Sequence, residues 1–309
     1  MSDRAGWVRA LAPAKVNLWL DVLGQRADGF HELDTGLLAL DLHDVVEARA
    51  RAQSGVVLDV LGPSASADIP RDARNLAWRA AEACLAALGE ERGVELRVHK
   101  NVPSQAGLGA GSADAAATLL VCETVLERRL PETRAHELLA RLGSDCVFFR
   151  GAAASGFARC TGRGEQVEPL PQPPDGWWVA VLVPDVGAPT AAVYAALPQD
   201  LSVNAPPSTV RGGLLDQSER VARGALSNGL EQAALRAVPG LAVWRELLDA
   251  HGAGHFRLSG SGSSWFGLYR DPKEADRCLS ALARAARARG LAPRARWVAR
   301  PARAAARLA

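Results

Sequence analysis

The fold of this chain is decided by the stretch PSQAGLGAGSAD, residues 103–114. It follows residues 93–99, whose alternating side chains predict a strand, and it precedes residues 112–128, whose alanines and leucines predict a closely packed helix. Glycines let successive backbone N–H groups turn toward one point, and a helix start adds free N–H donors and the positive end of its dipole. We therefore predict a binding site for anionic phosphates; the alternative is a flexible loop closed by an ordinary serine cap.

Two common nucleotide motifs are absent from the sequence. No Gly-Lys-Ser/Thr occurs anywhere, and none of the glycine clusters completes a G-x-G-x-x-G spacing. A P-loop ATPase and a dinucleotide-binding enzyme are therefore disfavoured.

The rest of the chain predicts a mixture of strands and helices. Further strands are predicted at 7–23 (two strands flanking a break at 13–15), 37–49, 56–61, 177–183 and 292–299. Helices are predicted at 74–88, 132–142, 189–196, 209–223, 229–251 and 272–289. The proline-rich stretch 171–176 is typical of a linker. We predict an α+β chain in two parts, an N-terminal domain at 1–168 and a C-terminal domain at 169–309.

Composition is that of a globular protein, with 309 residues, 48% hydrophobic and 23% charged. No secretory signal and no apolar run of roughly 18 residues is visible, so we expect a cytoplasmic protein without a membrane partner. The five cysteines are odd in number and form no Cys-x-x-Cys pair. We therefore expect reduced, mostly buried thiols rather than disulfides or a zinc site.

Basic residues are unevenly distributed. Residues 281–309 carry eight arginines and no acidic residue, although the net charge of the chain is only +2. We predict a solvated helix face, an edge strand and a frayed terminus there, with nucleic-acid binding as the minor alternative. Lysine occurs only at 15, 100 and 273, and Lys15 hints at a need for a compact ammonium group. Lys100 is expected either to face a nucleotide or to be solvated at a strand end.

Three segments in order resemble the signature motifs of the GHMP kinases. They are PAKVNL at 13–18, the loop at 103–117 and LSGSGSS at 258–264. The resemblance implies a two-domain fold, with an N-terminal ATP-binding domain, a C-terminal ferredoxin-like α/β domain and the active site in the cleft between them. It also implies ATP as phosphate donor, with Mg²⁺. The implied ATP-binding residues are Pro103, Ser104, Gln105, Ala106, Gly107, Leu108, Gly109, Ala110, Gly111, Ser112 and Ala113.

Two more segments resemble one branch of this superfamily, the 4-diphosphocytidyl-2-C-methyl-D-erythritol kinases. They are GQRADGFHEL at 24–33 and LGSDCVFF at 142–149. The resemblance implies a small-molecule substrate whose 2-hydroxyl is phosphorylated in non-mevalonate isoprenoid biosynthesis, by a monomer or weak homodimer. Two alternatives stay open: another GHMP kinase acting on homoserine or a sugar, and a nucleotide-binding regulator that has lost catalysis.

The resemblance also implies catalytic roles for individual residues. Asp145 would be the base that takes the proton from the substrate hydroxyl, and Lys15 would stabilise charge beside it. Asn17 would bind near the phosphorylated end of the substrate. The structural alternatives are a loop aspartate, a lysine lying along the surface and a strand-edge asparagine.

The cytosine would be held by Phe30, His31 and Tyr194, since a pyrimidine offers a flat face and a hydrogen-bonding edge. Tyr194 could also be an ordinary core residue, and Glu231 is expected to cap a helix.

The sequence departs from the family pattern at several positions. Residues 104–106 replace a more glycine-rich stretch, and Phe30 stands where tyrosine is frequent. Ala113 stands where a second serine is common, so a magnesium contact from this loop would have to come from Ser112. No departure removes a catalytic group.

Overall fold

The computed structural model describes residues 6–152, 154–198 and 213–309. Within these ranges the chain forms eleven strands and nine α-helices. The strands are β1 (Val8–Gln25), β2 (His31–Arg51), β3 (Val56–Leu61), β4 (Gly93–His99), β5 (Phe157–Gly162), β6 (Gln166–Pro169), β7 (Trp178–Val183), β8 (Arg257–Leu258), β9 (Trp265–Tyr269), β10 (Ala295–Ala299) and β11 (Arg307–Leu308). The helices are α1 (Leu76–Leu88), α2 (Ala110–Val125), α3 (Glu132–Leu142), α4 (Ser144–Gly151), α5 (Thr190–Ala195), α6 (Glu219–Ala225), α7 (Glu231–Ala237), α8 (Pro239–Ala250) and α9 (Pro272–Ala288).

The N-terminal part is built on a seven-stranded sheet. Its main path runs β11-β1-β2-β4-β3, and β5 pairs with the first half of β2 and with β6. All neighbours are antiparallel except β3 and β4. Helices α1 to α4 pack together against this sheet over one apolar core. Helix α2 is rich in alanine and is buried on most sides, as the sequence predicts.

The C-terminal part is built on a four-stranded antiparallel sheet. Its strands lie in the order β10-β7-β9-β8. Helices α8 and α9 contribute Trp244 and Leu279 to a core that also contains Leu182. A third core joins the two parts, because Leu18 of β1 and Leu108 of the glycine loop share it with Val181 of β7. This shared core fixes the N-terminal loop against the C-terminal sheet.

The structure differs from the predicted elements at several places. Residues 7–23 form one continuous strand rather than two, because β-bulges near Pro13 and Asn17 keep it paired with β2. The helix predicted at 229–251 is divided into α7 and α8, since Pro239 starts a new helix and cannot continue the old one. Of the helix predicted at 209–223, residues 209–212 lie outside the described residues, and α6 begins only at Glu219.

The predicted frayed terminus is wrong. Ala302, Ala305 and Ala306 are buried, and β11 pairs with β1 at the edge of the N-terminal sheet. Main-chain hydrogen bonds from Ala302 to Ala39 and from Ala306 to Phe149 hold this segment in place. The last residues of the chain thus return to the first sheet, and the domain boundary at residues 168/169 stays a prediction.

The cysteines are mostly buried, as predicted. All five cysteines are free thiols, and only Cys278 is partly exposed. Across the described ranges, no helix combines the length and apolarity needed to cross a membrane.

Candidate active site

The glycine loop is shaped by three residues with left-handed backbone, Gln105 (φ +54°), Gly107 and Gly109. Gly107 has φ +74°, and Gly109, with φ +70°, is the N-cap of α2. The loop is held from both sides: Lys15 N donates to Leu108 O (2.9 Å), and Ser264 N donates to Ala106 O (3.0 Å). The first and third motifs therefore fix the backbone of the second, and the start of α2 faces the space beside the loop.

The serine of this loop has no capping role. Helix α2 begins at Ala110, two residues earlier than predicted, and it has no side-chain cap. Ser112 lies in its first turn and is partly exposed to the cleft described below. The alternative of an ordinary serine cap is therefore wrong, and a contact of Ser112 with a magnesium ion stays a prediction.

Gly107 is packed too closely to carry a side chain. An added Cβ would lie 2.1 Å from Ser259 O. We expect Gly107→Ala to lower the free energy of unfolding by about 1–3 kcal/mol more than Gly252→Ala does, because overpacking adds to backbone strain. Gly252 is the matched control, since its φ is +73° and no atom lies within 4 Å of the added Cβ. Urea unfolding measures both, and equal losses in the two variants would contradict the close packing.

Lys15 and Asp145 are brought together from distant parts of the chain. Lys15 lies on β1 next to a bulge and is buried, and Asp145 lies in the first turn of α4. The distance from Lys15 Nζ to Asp145 Oδ2 is 3.3 Å, and the Asp145 side chain is 32% exposed. Asp145 thus presents a carboxylate to the cleft beside a fixed ammonium group.

Further contacts orient the Lys15 ammonium group. Its Nζ donates to Asn17 Oδ1 (2.8 Å) and to Gly107 O (2.9 Å). Asn17 in turn donates from Nδ2 to Thr35 Oγ1 (2.9 Å). Lys15 and Asn17 lie two residues apart on one strand, so their side chains share a face. The buried network therefore holds the charge of Lys15 between the loop and Asp145.

Aromatic side chains gather at the other end of the site. The His31 and Tyr194 rings are in contact, with centroids 5.0 Å apart and planes tilted by 39°. Phe30 is 52% exposed, and the guanidinium of Arg163 lies 4.6 Å from its ring centroid. Burial raises the pKa of Tyr194 to about 12, so its phenol stays neutral. A flat ligand cannot fit between His31 and Tyr194 in this arrangement, and Phe30 is the most exposed of the three side chains.

One cleft of about 880 Å³ joins these groups. Of the site residues predicted from the sequence, only Ser104 and Ala113 do not line it. Ala113 is fully buried, and its N–H donates to Gly109 O within the start of α2. Both parts of the chain contribute, because Tyr194 and Gly260 face Lys15 and the glycine loop across the cleft.

Several residues in or beside the cleft were not among the predicted site residues. Ser259 is fully buried and donates from Oγ to Gly107 O (2.9 Å). Thr190 Oγ1 and Ser261 Oγ lie 3.0 Å apart at the rim. Arg163 comes from the turn between β5 and β6. The third motif pointed to the two serines, whereas nothing in the local pattern of residues 161–164 pointed to Arg163.

Two expectations near the site are corrected. Lys100 neither faces a nucleotide nor is solvated, because it is buried and its Nζ pairs with Asp44 and Asp114. Glu231 does not cap a helix; its Oε2 accepts a hydrogen bond from Leu258 N (3.3 Å). Glu231 is therefore structural, but it joins α7 to β8 at the start of the third motif.

The side chains that could serve as metal ligands indicate how Mg²⁺ could be held. Among the described residues, no group of three or more His, Cys, Asp or Glu side chains could hold a metal ion. Mg²⁺ that arrives with a nucleotide needs few protein ligands, because it keeps phosphate oxygens and water around it. Ser112 and Asp145, which both line the cleft, supply oxygen donors of the kind it prefers.

Comparisons with known proteins identify the family. The models of the GHMP kinases N terminal domain and the GHMP kinases C terminal match residues 75–154 and 214–288. The 4-diphosphocytidyl-2-C-methyl-D-erythritol kinase of Pelotomaculum thermopropionicum is 38% identical over 87% of this chain and 91% of its own length. That of Gloeobacter violaceus is 37% identical over 89% of this chain and 90% of its own.

Solved structures agree. A crystal structure of 4-(cytidine 5'-diphospho)-2C-methyl-D-erythritol kinase, at 33% identity, superposes with a TM-score of 0.72 over 94% of this chain and 98% of that one. Homoserine kinase from Cytophaga hutchinsonii, at 20% identity and a TM-score of 0.74 over 100% of this chain and 99% of its own, shares the fold alone. The predicted two-domain GHMP kinase fold is thereby confirmed. The chain belongs to the 4-diphosphocytidyl-2-C-methyl-D-erythritol kinase family of the GHMP kinases.

Proposed function

We propose that this chain transfers the γ-phosphate of ATP to the 2-hydroxyl of 4-diphosphocytidyl-2-C-methyl-D-erythritol, a step of non-mevalonate isoprenoid biosynthesis. The observation that carries the proposal is the Lys15–Asp145 pair, 3.3 Å apart, at the point where the glycine loop meets the cleft. The relatives quoted above bear this activity in their names. A regulator without catalysis is disfavoured, because both members of the pair are present and in contact.

The reaction needs a base and a means of stabilising charge. Asp145 accepts the proton of the substrate hydroxyl while its oxygen forms a bond to the γ-phosphorus and the bond to the ADP oxygen breaks. The buried ammonium of Lys15 faces the charge that develops during transfer, and its hydrogen bonds to Asn17 and Gly107 O keep it from turning away. Asn17 thus acts at the acceptor end of the site.

The phosphates of ATP are assigned to the glycine loop and the start of α2. Backbone N–H groups at Gly107, Gly109 and the first turn of the helix favour negative charge there. Bound Mg²⁺ would neutralise part of the phosphate charge, with Ser112 among the residues that hold it. The cytidine is assigned to the aromatic end, with Phe30 and Tyr194 offering faces and His31 a hydrogen-bonding edge. A cytoplasmic location and a monomeric or weakly dimeric state stay predictions.

Substrate choice gives the direct test of this proposal. We expect ADP release with Mg·ATP to be fast on the cytidine compound, with kcat/KM at least about 10²-fold lower on its uridine analogue, because mismatched polar edges are left unpaired. His31→Ala should reduce this preference while ATP hydrolysis in the absence of acceptor is unchanged. No ADP release with either compound, together with turnover on homoserine or a sugar, would contradict the substrate assignment.

A further inference from the structure

The ends of the glycine loop are joined by a buried ion pair outside the cleft. Lys100 stands directly after β4, three residues before the loop, and Asp114 stands in α2 just after it. Lys100 Nζ lies 2.6 Å from Asp114 Oδ2, and the two residues are 3% and 5% exposed. We propose that Lys100 and Asp114 form a clasp that closes the loop and holds it in the shape that binds ATP, which makes them positioning residues. This inference rests on the proposed function.

The clasp is anchored to the sheet by a third residue. Asp44 of β2 is fully buried, and its Oδ2 also pairs with Lys100 Nζ. Its Oδ1 accepts from Asn101 N (2.5 Å) and Val102 N (2.8 Å), the two backbone N–H groups that precede the loop. The residues that precede the loop are thus fixed to β2, and Lys100 links them to α2 through its contact with Asp114.

The charge balance indicates a geometric role rather than a stabilising one. Two buried carboxylates share one ammonium, and Asp114 Oδ1 has no hydrogen-bond partner among the described residues. Burial raises the pKa of Asp114, while the carboxylates raise the pKa of Lys100 in spite of its burial. Buried charges of this kind are often less stabilising than apolar side chains of the same size. Three apolar side chains in place of Lys100, Asp114 and Asp44 would fill the space, but they would not set the distance between the two ends of the loop.

Asp114→Ala tests the clasp and leaves the contacts of Asp44 in place. It removes the link between the loop ends and leaves Lys100 paired with Asp44, so no unpaired charge is buried. We expect the KM for ATP to rise about tenfold, with the KM for the acceptor within about twofold of wild type. Asp114→Asn is the matched control, because its amide oxygen can still accept from Lys100 Nζ; its KM for ATP should stay within about twofold.

Amide hydrogen exchange of residues 104–112 gives a readout that does not depend on turnover. We expect exchange about tenfold faster in Asp114→Ala than in wild type, and unchanged exchange in Asp114→Asn. Unchanged exchange in Asp114→Ala, or an equal rise of both KM values, would overturn the clasp. A wild-type chain that binds no ATP would instead overturn the proposed function, and the exchange rates would still decide whether the clasp orders the loop.

Discussion

Asp145→Asn is expected to lower kcat by about 10²–10⁴-fold while the affinity for ATP stays close to wild type, since an amide cannot take the hydroxyl proton. The substitution preserves the size of the side chain and its position at the start of α4. The Asp145 side chain is partly exposed and Lys15 keeps its hydrogen bonds to Asn17 and Gly107 O, so the fold should tolerate the change. ADP release measures kcat, and titration with a non-hydrolysable ATP analogue measures nucleotide affinity.

The matched control is Asp276→Asn, which makes the same chemical change on α9. Its side chain is 66% exposed and its nearest basic partner, Arg296, lies 3.7 Å away. We expect wild-type kcat and KM from this control. Two results would contradict the assignment of Asp145 as the base. One is a wild-type kcat in Asp145→Asn, and the other is a loss of rate that weaker ATP binding explains completely.

Lys15→Met is expected to lower kcat by about 10²–10³-fold, because the charge that faces the transferred phosphoryl group is lost. Methionine keeps an unbranched chain of similar length. Lys15→Arg should not restore the rate, because a planar guanidinium cannot reproduce the buried contacts of the compact ammonium group, whose Nζ donates to Asn17 Oδ1 and Gly107 O. Single-turnover phosphoryl transfer separates this loss from any change in product release.

Lys273→Met is the matched control for that prediction. Lys273 is an exposed lysine at the start of α9, and its contribution there comes from its backbone N–H, which bonds to Asp271. We expect no change in kcat from it. Because Lys15 and Asp145 act as a unit, the double variant should lose little more than the worse single variant. Fully multiplicative losses, or full activity in Lys15→Arg, would show that the two residues act independently or that any cation suffices.

Local sequence signals determined the parts of this protein that depend on local chemistry. The glycine loop between a strand and a helix, the three ordered motifs and the alternating or helical apolar patterns all act over a few residues, so the family and most elements were predictable. The wrong predictions concern features that are not determined by residues nearby in the sequence. The bulges in β1 are set by pairing with β2, and the burial of residues 302–306 is set by the N-terminal sheet.

The motifs in the sequence predicted the family and, through the resemblance, catalytic roles for Lys15 and Asp145, which stay predictions. Only the tertiary structure decided that these two side chains meet at 3.3 Å, that His31 contacts Tyr194 and that Lys100 is buried rather than facing the nucleotide. The physical reason is that a contact between distant residues depends on sheet register, on how helices pack and on which charges are removed from water. None of these is a property of a short segment, and they arise only when the whole chain has folded.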